Sequence, residues 1–127
     1  MNVSEYVELH CHSHFSFKEG ASSVDQLIAT AKKLGYKSLA LTDHDNLSGA
    51  MQFAQVSRSI GLHGIIGVEF TLVGGYHLTA LAETFEGYSN LCHLLSFSHV
   101  FAEQRDKPEL DPRFLENHYR GIIALSG

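Results

Sequence analysis

Histidine falls at every second position of His10-Cys11-His12-Ser13-His14, directly after the short apolar run Tyr6-Val7-Glu8-Leu9. On an extended segment residues two apart share a face. His10 and His12 therefore present two imidazoles side by side, with His14 a third if the strand continues. Paired neutral imidazoles are the simplest way for a strand to begin a metal site. Any one of these histidines reads equally well as a hydrogen-bonding group at a strand end. The downstream pattern decides between the two: Asp43-His44-Asp45 closes a second apolar run and Glu69 closes a third. Delivered together to one sheet edge, His, His and Glu point to a metal centre. His10, His12, His44 and Glu69, with Asp43, are its candidate catalytic residues.

Nitrogen and carboxylate donors suit zinc, manganese or iron. Two or more such ions about 3.5–4 Å apart activate a water and hold phosphoryl oxygens, which is the chemistry of phosphate-ester hydrolysis. Asp43 and Asp45 then read as groups that orient ligand imidazoles. Cys11 alternates away from His10 and His12, so packing explains it better than thiolate ligation. Cys92 sits on a helical apolar stripe and reads as core. His77 starts an apolar strand from which it could reach the site. His63, His93, His99 and His118 read as surface or structurally satisfied residues. No GxSxG elbow, phosphate-cradling glycine loop or CxxC pair is present, which leaves serine nucleophile chemistry and a zinc knuckle unsupported.

These residues need strands to carry them. A first strand is expected over residues 5–10, then a loop and a helix opened by the capping box Ser23/Gln26 and stopped by Gly35. The helix shows an apolar stripe of Val24, Leu27, Ile28, Ala31 and Leu34. Ser38-Leu39-Ala40-Leu41-Thr42 is nearly continuous in apolar residues, as buried parallel strands are. A second helix is expected from Leu47 to Ile60, and a third strand over Gly64–Val68. Gly74-Gly75 marks a turn between Phe70–Val73 and Tyr76–Leu81, which makes a hairpin or an extra strand there. A third helix spans about Glu86 to Val100 with Tyr88, Leu91, Cys92 and Leu95 inward. Asp111-Pro112 opens a short helix to Tyr119, and Ile122–Leu125 is a last strand. Strands alternating with helices imply a parallel sheet or barrel. Barrels of this kind usually need roughly 250 residues, so 127 read as about the first half of one.

Composition narrows the class. Hydrophobic residues make up 44% and charged residues 18%, which is ordinary for one globular domain. No apolar run approaches the roughly 18 residues of a membrane span, and Met1-Asn2-Val3-Ser4-Glu5 lacks the parts of a secretory signal. Two cysteines imply no disulfide framework, so a reduced, cytoplasmic setting is expected. Nine Lys+Arg against fourteen Asp+Glu, a net charge of -5, argue against a broad phosphate-neutralising surface. Bound metal ions would have to supply positive charge locally.

Leu9-His10-Cys11-His12-Ser13, Leu41-Thr42-Asp43-His44-Asp45 and Gly67-Val68-Glu69 resemble the first three motifs of the PHP family, the polymerase and histidinol phosphatase domains. Phe17-Lys18-Glu19-Gly20-Ala21-Ser22, His77–Ala82, Gly87–Leu91 and Gly121–Gly127 resemble the form that heads bacterial C-family DNA polymerases. The wording of Glu8–Ser13 and the compact segment between Glu69 and His77 are similar to the error-prone alpha subunits. The resemblance implies an α/β fold, part of a distorted seven-stranded β/α barrel, with up to three divalent ions at the strand C-termini. It implies His10, His12, Glu19, His44, Glu69 and His77 as ligands. The family more often has aspartate in place of Glu19, and an acidic or polar residue in place of His14. Later family ligands lie beyond Gly127, so the barrel is expected to be incomplete and the chain alone weakly active or inactive. The implied function is metal-dependent phosphoesterase or 3′–5′ exonuclease chemistry within a DNA-binding polymerase used in replication or translesion repair. A free-standing phosphatase for a small phosphomonoester such as histidinol phosphate, and a non-catalytic structural module, are the alternatives. Unpaired barrel edges would favour a homodimer or strand swap.

Overall fold

A computed structural model describes residues 7–9, 11–13, 15, 22–104 and 106–126. Five strands form one sheet in chain order: β1 (Val7–Glu8), β2 (Ser38–His44), β3 (His63–Thr71), β4 (His77–Ala82) and β5 (Ile122–Ser126). β1, β2 and β3 are parallel, whereas β4 is antiparallel to β3 and β5 to β4. The α/β class is as the sequence implies, but the sheet is mixed. A parallel crossover needs a dozen or more residues, and the link from Thr71 to His77 is far shorter. It turns at Gly74 and Gly75, with φ of 97° and 87°, and Gly75 N donates to the Leu72 carbonyl at 3.0 Å. Among the described residues the sheet is open, with β1 and β5 at its edges.

Helix α1 (Val24–Lys33) begins at the expected capping box and ends at Gly35, whose φ is 84°. Val24, Ile28 and Ala31 bury against Leu39 and Leu41 of β2, Leu62, and Phe53 of helix α2 (Ala50–Ser59). Leu34 falls on the expected stripe but is 51% exposed, because the helix has already ended there. Helix α2 starts three residues later than its periodicity suggests. Asn46 causes the delay: its side chain donates to the carbonyls of His44 (2.8 Å) and Phe15 (3.1 Å) and accepts from Ser48 N (3.0 Å). Such local side-chain bonds compete with helix formation.

A second core joins Val68, Phe70 and Ala80 to Leu91 and Leu94 of helix α3 (Phe85–Val100) and to Leu110. The buried face of α3 is Gly87, Leu91, Leu94 and Ser98; of the residues expected inward, Leu91 is buried and Tyr88, Cys92 and Leu95 are only half-buried. A long-range contact sets this rotation, since Gly87 lies against Gly121, whose carbonyl oxygen occupies the space a Cβ at residue 87 would need. Asp111 caps the expected final helix, but Pro112–Asn117 is a 3₁₀ turn. With Val68 and Phe70 turned toward the helices, Gly67 and Glu69 face the other side of the sheet. Glu69 is in register with His44 on β2 and Thr79 on β4.

Gly87→Ala is expected to cost at least about 1–3 kcal/mol, the usual range for overpacking. Chemical denaturation of the variant against wild type measures it, and an unchanged midpoint would show that α3 does not depend on this contact.

Candidate metal centre

The carboxyl ends of parallel strands share one edge, and here that edge collects imidazoles. His12 lies in the segment after β1, His44 ends β2, and Glu69 sits beside His44 in β3. His77 opens β4, and the antiparallel return of that strand brings its amino end back to the same edge, where Thr71 pairs with His77. The short hairpin expected at Gly74-Gly75 is thus what supplies the fourth side chain.

The three histidines converge on one Glu69 oxygen. His12 Nε2 and His77 Nδ1 each lie 3.4 Å from Glu69 Oε2, and His44 Nε2 contacts the same atom. The His12 and His44 rings meet edge to face with centroids 4.8 Å apart, and His44 and His77 do so at 5.1 Å. One donor atom each from His12, His44 and Glu69 lies within 4.8 Å of the others. Zinc bonds nitrogen and oxygen at about 2.0–2.1 Å in tetrahedral geometry, which places neighbouring donors about 3.3 Å apart. The observed 3.4 Å separations fit that spacing. Glu69 is 5% exposed, whereas His77 is 40% exposed. A carboxylate so buried needs compensating charge, which a divalent ion among these donors would provide.

Asp43 ties the segment after β1 to β2. Its carboxylate oxygens accept from Ser13 N and Ser13 Oγ, both at 2.6 Å and buried. Main-chain and side-chain bonds between Cys11 and Thr42 run alongside, with Thr42 N donating to the Cys11 carbonyl (2.8 Å) and Cys11 N to Thr42 Oγ1 (3.1 Å). His12 is therefore clamped on both sides to the strand that carries His44. Asp45 does not orient an imidazole with its carboxylate, which accepts from Thr71 instead. Ser13, Thr42 and Thr71 escaped the sequence reading. Their one local signal is position, each lying one or two residues from a ligand candidate.

Cys11 packs against the first core, as expected. Burial first, then the neighbouring Glu8 and Asp43 charges, pushes its thiol up to about 11. That shift favours the thiol over the thiolate, in keeping with a packing role. Cys92 is half-buried beside Tyr88, whose hydroxyl is raised above its ordinary value by burial and by that thiol. His118 Nδ1 donates to the Phe114 carbonyl at 3.0 Å, and His63 and His93 are exposed, in line with structural or surface roles. His99 is likewise structurally satisfied, its Nε2 lying 2.9 Å from the Asp45 carbonyl. His10, His14 and Glu19 lie outside the described residues.

The model of the PHP domain family matches residues 8–127. An error-prone DNA polymerase of Symbiobacterium thermophilum is 43% identical, covering 96% of this chain and 13% of that protein. The DNA polymerase III subunit alpha of Treponema pallidum is 39% identical, covering 95% and 12%. An error-prone DNA polymerase of Pseudomonas aeruginosa is 46% identical, covering 76% and 9%. The chain thus spans about an eighth or less of the length of these relatives. Among solved structures, a protein of Bifidobacterium adolescentis described as a metal-dependent phosphoesterase aligns with TM-score 0.58 and 26% identity, covering 73% of this chain and 32% of that one. An amidohydrolase from Chromobacterium violaceum, with bound sulfate and no metal, aligns at 0.60 and 27%, covering 73% and 33%.

Zinc at 100 times its dissociation constant is expected to stabilise the wild-type chain by about 2.7 kcal/mol. His44→Ala and Glu69→Gln should lose that gain while the metal-free proteins still unfold cooperatively. Thermal melts with and without zinc make the comparison. A full zinc shift in both variants would remove the site from these residues.

Proposed function

This chain belongs to the PHP domain family, and on that premise we propose that it is the PHP domain of a bacterial error-prone DNA polymerase III alpha subunit, carrying a metal-dependent phosphoesterase site. The observation that carries this reading is the convergence of His12, His44 and His77 on the buried Glu69 oxygen at one sheet edge. The full ligand set we propose adds His10 and Glu19, and zinc, manganese and iron all suit such donors.

When bound, a divalent ion lowers the pKa of its water and polarises a phosphoryl oxygen. The chain's own contribution is placement. Glu69 and His44 form the buried side of the site, and the half-exposed His77 stands on its solvent side, where a phosphate ester would enter. With a net charge of -5 the chain offers little general attraction for a polyanion. Phosphate recognition is therefore local to the ions. The substrate we propose is a DNA 3′ end, cleaved as a 3′–5′ exonuclease would. Polymerase relatives at 39–46% identity support a DNA substrate over a small phosphomonoester. No helix among the described residues is long and apolar enough to cross a membrane.

Incubation of the chain, and of the longer polymerase polypeptide, with 3′-labelled single-stranded DNA and manganese or zinc tests the reading. Metal-dependent release of nucleotides by the longer protein, lost in a His12→Ala/His44→Ala double variant, is the expected result, with little or no release by the chain alone. Metal binding without release in either protein would assign a structural role instead. We propose in addition that the chain self-associates. Among the described residues β5 pairs with β4 alone, and Ile123 on it is 44% exposed, an edge open to a second strand. Light scattering is expected to show a dimer, and a monomer mass over a wide concentration range would refute it.

A further inference from the structure

Asp45 follows the ligand His44 and adopts φ of 51°, the one non-glycine residue with positive φ among those described. Aspartate tolerates this left-handed region better than most residues, yet such a conformation persists only where its surroundings impose it. Here every polar group of the residue is engaged. Its N–H donates to the Glu69 carbonyl at 3.0 Å. Its own carbonyl accepts from His99 Nε2 of α3 at 2.9 Å. Its carboxylate accepts from Thr71 N at 2.9 Å and from Thr71 Oγ1 at 2.8 Å.

The destinations of these bonds matter more than their number. Glu69 is a candidate ligand. Thr71 is the residue that pairs with His77 in the β3–β4 ladder. Asp45 is thus covalently next to one member of the cluster, hydrogen-bonded to the backbone of a second, and joined through Thr71 to the strand position of a third. An ordinary strand-to-helix turn needs only to cap the next helix, and α2 starts five residues later at Ala50. We propose that Asp45 is a positioning residue for the metal centre, fixing where His44 stands relative to Glu69 and His77, with His99 holding the turn from the helix side. The inference rests on the reading that this cluster holds a divalent ion.

Cobalt(II) titration of the 127-residue chain tests it, because the visible absorption of that ion reports coordination geometry independently of any activity. Asp45→Ala and Thr71→Val are expected to bind cobalt about tenfold more weakly than wild type, the lower end of what loss of a supporting partner costs, with an altered spectrum. Thr71→Ser keeps the hydroxyl and should restore both. A lower melting temperature in Asp45→Ala, with wild-type cobalt affinity and spectrum in both Asp45→Ala and Thr71→Val, would overturn the proposal while leaving the metal site intact. If Asp45→Ala does not fold, Thr71→Val against Thr71→Ser decides alone. Failure of the wild-type chain to bind cobalt would overturn both this inference and the reading beneath it.

Discussion

Glu69 is a carboxylate withdrawn almost wholly from water, and an uncompensated charge in that position is among the costliest things a fold can contain. Much of the architecture answers that single demand. β2 runs parallel to β3 in a register that sets His44 beside it, and β4 runs back antiparallel so that His77 starts at the same edge. Two residues earlier on the same face stands Gly67. A Cβ there would come within 2.6 Å of the Ala80 carbonyl oxygen and 2.9 Å of Thr42 Cγ2. The missing side chain lets three strands draw together beneath the carboxylate.

The triplet Asp43-His44-Asp45 divides labour by position. Its middle residue offers a nitrogen to the cluster, and its outer two carry bonds to the chain segments on either side. Asp43 reaches back 30 residues to Ser13, next to His12. Asp45 reaches forward 26 residues to Thr71, two beyond Glu69. Buried charge-assisted hydrogen bonds of this kind are short and directional. They hold segments that β pairing alone would hold loosely, above all the segment after the two-residue strand β1.

Much of this was legible beforehand, for a physical reason. Ser23, Gly35, Gly74-Gly75 and Asp111 act through their own neighbours, so their roles as caps and turns could be read from adjacent residues. His12, His44, Glu69 and His77 could be proposed because each lies at the end or start of a recognisable apolar run. What stayed hidden depends on contacts between distant residues. The rotation of α3 follows from Gly121, far along the chain, and the late start of α2 follows from Asn46 reaching Phe15. The direction of β4 was legible too, since Gly74-Gly75 reads as a hairpin turn and a link so short cannot hold a crossover. Nothing near His99 in sequence hints that it bonds to Asp45.

The protonated state of Cys11 has a consequence for the chemical durability of the centre. Sulfur one residue from a cluster suited to iron or manganese would ordinarily be the first atom to meet peroxide or a stray oxidant generated there. Oxidation proceeds through the thiolate. Burial and the Glu8 and Asp43 charges push the Cys11 thiol up to about 11, which disfavours the thiolate. Packing that fills the first core therefore also lowers the reactivity of the one sulfur beside the cluster among the described residues.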